Sequence, residues 1–250
     1  MRLLVYNIAY GTGCPGGEAK RLLTAHRYLR TDAFHFDQIV GLVDDLQPDM
    51  IGLVEADSGS WRTSGKSHPD TVDRLLNGIR APSPATGSKY GPRSLLNRVP
   101  YLKSQTNALL ARTESEVKRH YFPCGTKKLI LERESDGITV FLVHLGLTRR
   151  VRTLQLDYLR GLLPRDGRPF VLAGDFNTFR GEQQELAGFM EEMSLQNANE
   201  SGSATYPAWK PLRQLDYILV SQQVRVENFE ILPVLYSDHL PLVADLAPAW

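Results

Sequence analysis

Asp175 and Asn177 stand two positions apart in the stretch Phe170-Val171-Leu172-Ala173-Gly174-Asp175-Phe176-Asn177-Thr178. On an extended chain such residues project to the same side, so a carboxylate and a carboxamide there can address one substrate atom or one attacking water. Five more places put a side chain able to bind a cation or move a proton at the end of an apolar run or just beyond it: Asn7, Glu55, His144, Asp216, and Asp238 with His239. Any one of these is more often a turn residue or a satisfied polar group; six segments together point to a shared pocket. Rival chemistries lack their parts. Cys14 and Cys124 are the only cysteines, which excludes a four-cysteine zinc site, an iron–sulfur cluster and a disulfide framework, leaving one bridge open. There is no Gly-Xaa-Ser-Xaa-Gly, so Ser237 beside Asp238-His239 has no nucleophile elbow.

The elements that must position these residues follow from hydrophobic period. Residues 3–8 and 50–55 read as buried strands ending near Asn7 and at Glu55. Between them, Ile39, Leu42, Val43 and Leu46 recur at helical spacing over 37–46, and Pro48 stops that helix. Residues 58–105 are polar and predict surface structure, with one helix over 69–79. Strands are predicted over 106–111, 116–122, 128–134 and 138–144, with Asp136-Gly137 as a hairpin turn. A helix over 150–163 presents Val151, Leu154, Tyr158 and Leu162 on one face. The central strand follows, then a helix over 182–193 and strands over 214–220, 224–232 and 243–246. Helices between strands combined with hairpins in the middle predict an α/β fold of two packed mixed sheets with helices outside.

The chain has 250 residues, with 42% apolar and 23% charged, and no repeat or linker, which fits one domain over 1–250. A net charge of +1 selects neither an anionic nor a cationic partner, and no protein partner is evident. No apolar run reaches the roughly 18 residues that suggest a membrane span. The first residues turn polar too soon for a signal peptide, which predicts a cytoplasmic protein.

Asn7, Glu55, His144, Gly174-Asp175-Phe176-Asn177, Leu215-Asp216-Tyr217-Ile218 and Ser237-Asp238-His239-Leu240-Pro241-Leu242 occur in the order of the endonuclease/exonuclease/phosphatase (DNase I-like) superfamily. The chain resembles that family from position 7 to 242. The resemblance implies a four-layered α/β sandwich and a divalent metal, usually Mg²⁺, with Mn²⁺ able to stand in. Glu55 would hold the metal, with Asn7 and Asp238 completing or flanking it, since hard cations prefer carboxylate and amide oxygens. Asp175 would orient or deprotonate the water, and Asn177, which cannot act as a base, would donate to a phosphate oxygen. Asp216 would fix His239 against the phosphate and keep it cationic, and His144 would contact the phosphate or serve as the acid. The implied activity is phosphodiester hydrolysis, nucleic acid first. A phosphatase or a phospholipid-headgroup phosphodiesterase is the alternative, and a catalytically silent scaffold a third reading.

Two features argue within the family. Ala9 replaces the acidic residue of abasic-site endonucleases, and Leu215 replaces the cysteine of inositol polyphosphate 5-phosphatases. Arg149, Arg150 and Arg152 at a helix start after His144, Arg180 after the central motif, and Lys103, Lys210 and Arg213 in loops near other motifs are candidate contacts to a nucleic-acid backbone or phosphorylated headgroup, and Trp61, Tyr206 and Trp209 could stack on a base or sugar. The segment holding Lys20, Arg21, His26, Arg27 and Arg30 is either a solvated loop or faces phosphate.

Overall fold

The computed structural model describes residues 1–14, 16–17, 31, 33–78, 86–179 and 183–249. Arg180 and the basic segment from Lys20 to Arg30 lie outside them. Strands β1 (Arg2–Asn7), β2 (Met50–Asp57), β3 (Gln105–Ala111), β10 (Val224–Ile231) and β11 (Leu242–Pro248) form one sheet in the order β10-β11-β1-β2-β3. The second sheet runs β4-β5-β6-β7-β9-β8, from β4 (Val117–Tyr121), β5 (Leu129–Ser135), β6 (Ile138–His144), β7 (Phe170–Asp175), β8 (Leu195–Asn197) and β9 (Asp216–Ser221). β1 and β2 are parallel, as are β6 and β7; the other pairings are antiparallel. The mixed two-sheet expectation therefore holds. The strand β8 was not anticipated, being too short to show a period.

Alternation explains the layering. In β6, Ile138, Val140 and Leu142 join the core shared with the first sheet, while Phe141 and Val143 face the opposite way. β7 splits as Val171 and Ala173 against Phe170 and Leu172, and β9 as Ile218 and Val220 against Tyr217 and Leu219. Each buried Val, Leu, Ile or Phe among these contributes about 1.5–3 kcal/mol. Gly52 in β2 lets the sheets approach, since a Cβ there would stand 2.7 Å from Leu142 Cδ1. Helices α1 (Ala33–Leu46) and α2 (His68–Asn77) pack on the first sheet through Phe36, Ile39, Val43, Val72 and Leu76. Helices α3 (Arg149–Leu162) and α4 (Gln183–Glu192) cover the second through Leu156, Leu159, Leu186 and Phe189.

Two expectations change. The polar stretch 58–105 is not all surface: Arg62, His68, Lys89 and Ser104 are buried. Asp57 is the reason, since its Oδ2 pairs with Arg62 Nη2 at 2.6 Å while Oδ1 accepts from Gly59 N and Ser60 N. A fully partnered buried pair can hold an otherwise hydrophilic loop inward. In α3 the inward face is Arg152, Gln155, Leu156 and Leu159, and Leu154 is exposed. The face is rotated by one residue because Arg152 and Gln155 hydrogen-bond to backbone beneath the helix, which the apolar pattern alone does not encode.

Candidate active site

Register brings the polar strand ends together. His144 pairs with Asp175 across the parallel β6/β7 ladder, and Asp175 with Asp216 across β7/β9, so the three occupy one row. Gly174 permits that row: its φ is +134°, and a Cβ would stand 2.0 Å from Val143 O. From the other sheet come Asn7, ending β1, and Glu55, which the β2/β3 register shift between Leu53 and Ala56 turns out of the ladder with φ +55°. Glu55 N donates to Asn107 Oδ1 at 3.2 Å, anchoring the bulge. Asn177 also lies in the left-handed region, at φ +53°, which asparagine tolerates better than most residues.

Asp175 joins the two sheets. Asn7 Nδ2 donates to its Oδ2 at 3.0 Å, Asn177 N to its Oδ1 at 2.9 Å, and His144 Nε2 stands 3.3 Å from Oδ2. Burial pushes this carboxyl up, but His144, His239 and Lys127 outweigh it and hold it well below the usual carboxylate range. His239 Nδ1 lies 2.8 Å from Asp216 Oδ2, which also accepts from Thr205 Oγ1 at 2.6 Å. Burial alone would lower the His239 imidazole; Asp216, backed by Asp175 and Asp238, pushes it up to about 10. Burial also pulls Asp216 toward protonation. With Thr205 and His239 both donating to its Oδ2, the shared proton belongs on the ring. The pair is a carboxylate and an imidazolium at neutral pH.

His144 behaves oppositely. Burial, then the Lys127 ammonium bonded to its Nε2, brings it down to about 4, so it is neutral. Its Nδ1 is 3.9 Å from Glu55 Oε1. Glu55, which burial alone would raise, is brought down to about 2 by Lys89, His144 and Lys127. Lys89 Nζ is 3.5 Å from Glu55 Oε1, and burial lowers that lysine to about 8. The pocket thus offers an ionised carboxylate able to orient water, a fixed imidazolium, and a second carboxylate toward solvent.

A sequence profile for the Endonuclease/Exonuclease/phosphatase family matches residues 4–239. The chain belongs to this family. Members of this family are phosphoester hydrolases. Over 129 residues it is 31% identical to Uncharacterized protein YbhP of Escherichia coli, a stretch covering 48% of this chain and 50% of that relative, so the match spans half the relative's length. An endonuclease/exonuclease/phosphatase from Beutenbergia cavernae superposes with a TM-score of 0.74 at 18% identity, covering 99% of this chain and 71% of that one. A Bacteroides thetaiotaomicron mannosyl-6-phosphatase gives 0.67 at 13%, covering 99% of each. These two likenesses show the shared fold, a two-sheet α/β sandwich.

Asn7, His144, Asp175, Asn177, Asp216 and His239 are linked by the contacts above, and Glu55 reaches them through His144. Asp238 joins the same wall, its backbone O accepting from Ala208 N and its neighbour Ser237 donating to Asn7 O at 2.7 Å. Asn177 Nδ2 donates to Leu145 O at 2.9 Å, so one of its two amide protons already serves the backbone. Arg149 and Arg150 are exposed at the start of α3. Arg152 is buried, and its Nη1 donates to Gly146 O, Leu147 O and Asn177 O, tying the His144 turn to the Asp175 motif. Trp61 is exposed, whereas Tyr206 is buried with its ring 4.8 Å from the His239 ring. Lys89, Lys127 and Thr205 border the candidate site without having been anticipated, and Arg152, expected as a phosphate contact, is instead held by backbone carbonyls. For Arg152 the inward helical spacing to Leu156 and Leu159 was the available signal; for the lysines there was none.

The family generally uses a divalent metal. Asp175, Asp216 and His239 have ligand atoms within 4.8 Å of one another, but an imidazolium has no lone pair for a metal, so this trio is an ion pair with a neighbour. Glu55 fits better. It is ionised, its side chain keeps 19% exposure for a hydrated ion, and Asn7 Oδ1, which accepts only from Ala9 N, has acceptor capacity left. Oxygen donors of this kind suit a hard cation that keeps several waters.

Proposed function

We propose that the protein is a Mg²⁺-dependent phosphoesterase, with Mn²⁺ as a substitute, in which Asp175 orients the attacking water. The single observation that carries this reading is the row His144–Asp175–Asp216 with Asn7 bonded to Asp175 from the opposite sheet. A carboxylate held so far below its ordinary range is a poor proton acceptor, so orientation of the water, with a 3.0 Å amide bond fixing the rotamer, is its better role. His239, charged and held by Asp216, would stabilise negative charge on the phosphate and protonate the leaving oxygen. Asn177 and neutral His144 would donate to non-bridging oxygens. Glu55, with Asn7 and Asp238, would hold the metal, which when bound supplies charge neutralisation at the phosphate. The chain is proposed to act as a single domain, in the cytoplasm.

For the substrate, exposed Arg149, Arg150 and Trp61 support a nucleic-acid phosphodiester. A second reading, a phosphomonoester, is supported by the two lysines at Glu55 and His144 and by the fold shared with a mannosyl-6-phosphatase. The test is turnover with Mg²⁺, Mn²⁺ or EDTA on plasmid DNA, single-stranded DNA, RNA, bis-p-nitrophenyl phosphate, p-nitrophenyl phosphate, a phosphoinositide and sphingomyelin. Metal-dependent hydrolysis of at least one ester is expected, falling by about 10² or more in Asp175→Asn and in His239→Ala. Turnover that survives both substitutions would remove the assignment.

A further inference from the structure

Lys89 and Lys127 have no part in the row of hydrolytic residues, yet both end beside it. Lys89 Nζ is 3.5 Å from Glu55 Oε1 and donates to Tyr10 Oη. Lys127 Nζ is bonded to His144 Nε2. Backbone joins the two segments: Lys128 N donates to Lys89 O, and Phe122 N to Lys128 O, each at 2.8 Å. Gln155 then fixes the second segment to the His144 turn, donating to Lys127 O at 2.9 Å and accepting from Gly146 N at 2.8 Å. Both ammonium groups are therefore aimed by framework rather than swinging from the surface.

The same His144 Nε2 stands 3.3 Å from Asp175 Oδ2, so Lys127 and the Asp175 carboxylate meet at one edge of the ring. The other ring nitrogen, Nδ1, is buried without a hydrogen-bond partner among the described residues and stands 3.9 Å from Glu55 Oε1. Among the described residues Glu55, Asp175, Asp216 and Asp238 face one imidazolium, His239, so a divalent ion alone would leave these groups net negative; the lysines reverse the sign. An internal phosphodiester carries one negative charge, whereas a terminal phosphate carries nearly two once above its second ionisation at about pH 6.

We infer that Lys89 and Lys127 form a subsite for the non-bridging oxygens of a terminal phosphate, which makes a phosphomonoester the preferred substrate. This rests on the hydrolase reading above and decides between its two substrates in favour of the second. A purely structural role, with Lys89 as counter-ion to Glu55 and Lys127 as a prop for His144, gives no discrimination between a dianion and a monoanion.

Calorimetric titration of the full chain with saturating Mg²⁺ at pH 7.5, with inorganic phosphate and separately with dimethyl phosphate, separates the two roles. Wild type is expected to hold phosphate about tenfold or more tighter than dimethyl phosphate. Lys89→Met and Lys127→Met should each weaken phosphate about tenfold while moving dimethyl phosphate less than about twofold, and Lys127→Arg should keep most of the preference. Glucose 6-phosphate and a 5′-phosphorylated oligonucleotide, used as competitors, distinguish a sugar phosphate from a nucleic-acid end. Equal affinity of wild type for the two anions overturns the subsite, as does phosphate binding indifferent to both methionine substitutions. If a methionine variant does not fold, the wild-type comparison and Lys127→Arg decide. Anion binding reads the subsite and turnover reads the hydrolase, so either can fail while the other stands.

Discussion

Thr205 governs what Asp216 can do. Its hydroxyl donates to Asp216 Oδ2 and accepts from the backbone N–H groups of Leu215 and Asp216 at 3.1 and 3.3 Å. Thr205→Val keeps the shape and removes all three bonds. Asp216 would then be oriented by His239 alone, and kcat is expected to fall about tenfold with KM little changed, as for lost positioning rather than lost binding. An unchanged kcat would show that the His239 contact suffices. Thr205 escaped sequence reading because it follows a Gly/Ser turn instead of ending a strand, whereas Asn7, His144, Asp175 and Asp216 betrayed themselves by closing or opening apolar runs. Lys89 and Lys127 were illegible for a different reason: what makes them part of the pocket is the backbone bond from Lys128 to Lys89, a tertiary fact without local signature.

At the level of elements, α2 and the loop before it depend on a neutral histidine. His68 stacks on Phe36 with centroids 4.0 Å apart, and its Nδ1 accepts from Asp57 N at 3.3 Å. Burial lowers it from 6.5 to about 4. Because the folded form releases this proton more readily than the unfolded chain, the stabilisation is complete above about pH 6.5 and is lost as pH falls toward 4. The loss is on the order of 3 kcal/mol. Urea midpoints at pH 7.5 and 4.5 should differ less in His68→Gln than in wild type; identical differences would clear His68 of the role. The helices themselves were readable from their spacing, within a few residues at each end. The inner face of α3 was not, because Arg152 and Gln155 point inward for the sake of carbonyls and amides that sequence does not display.

For the whole molecule, a ligand that binds only the folded state raises the unfolding temperature by mass action. With Glu55 as the principal ligand, Mg²⁺ at about ten times its dissociation constant should contribute about 1.4 kcal/mol, or roughly 3 °C for a chain of this size. Glu55→Gln should abolish that shift, and an equal shift in both proteins would place the ion elsewhere. The two-sheet architecture was legible, since helices between strands combined with hairpins in the middle of the chain admit few other arrangements.

The hydrogen bond from Asn7 to Asp175 spans 168 positions and crosses from one sheet to the other. Neither half of the sandwich owns the pocket: one contributes the amide and Glu55, the other the acid that the amide steadies. On the proposed reading, catalytic output is a gauge of assembly, silent in any partly formed species whose halves have not met, and a preparation's specific activity counts its correctly joined molecules.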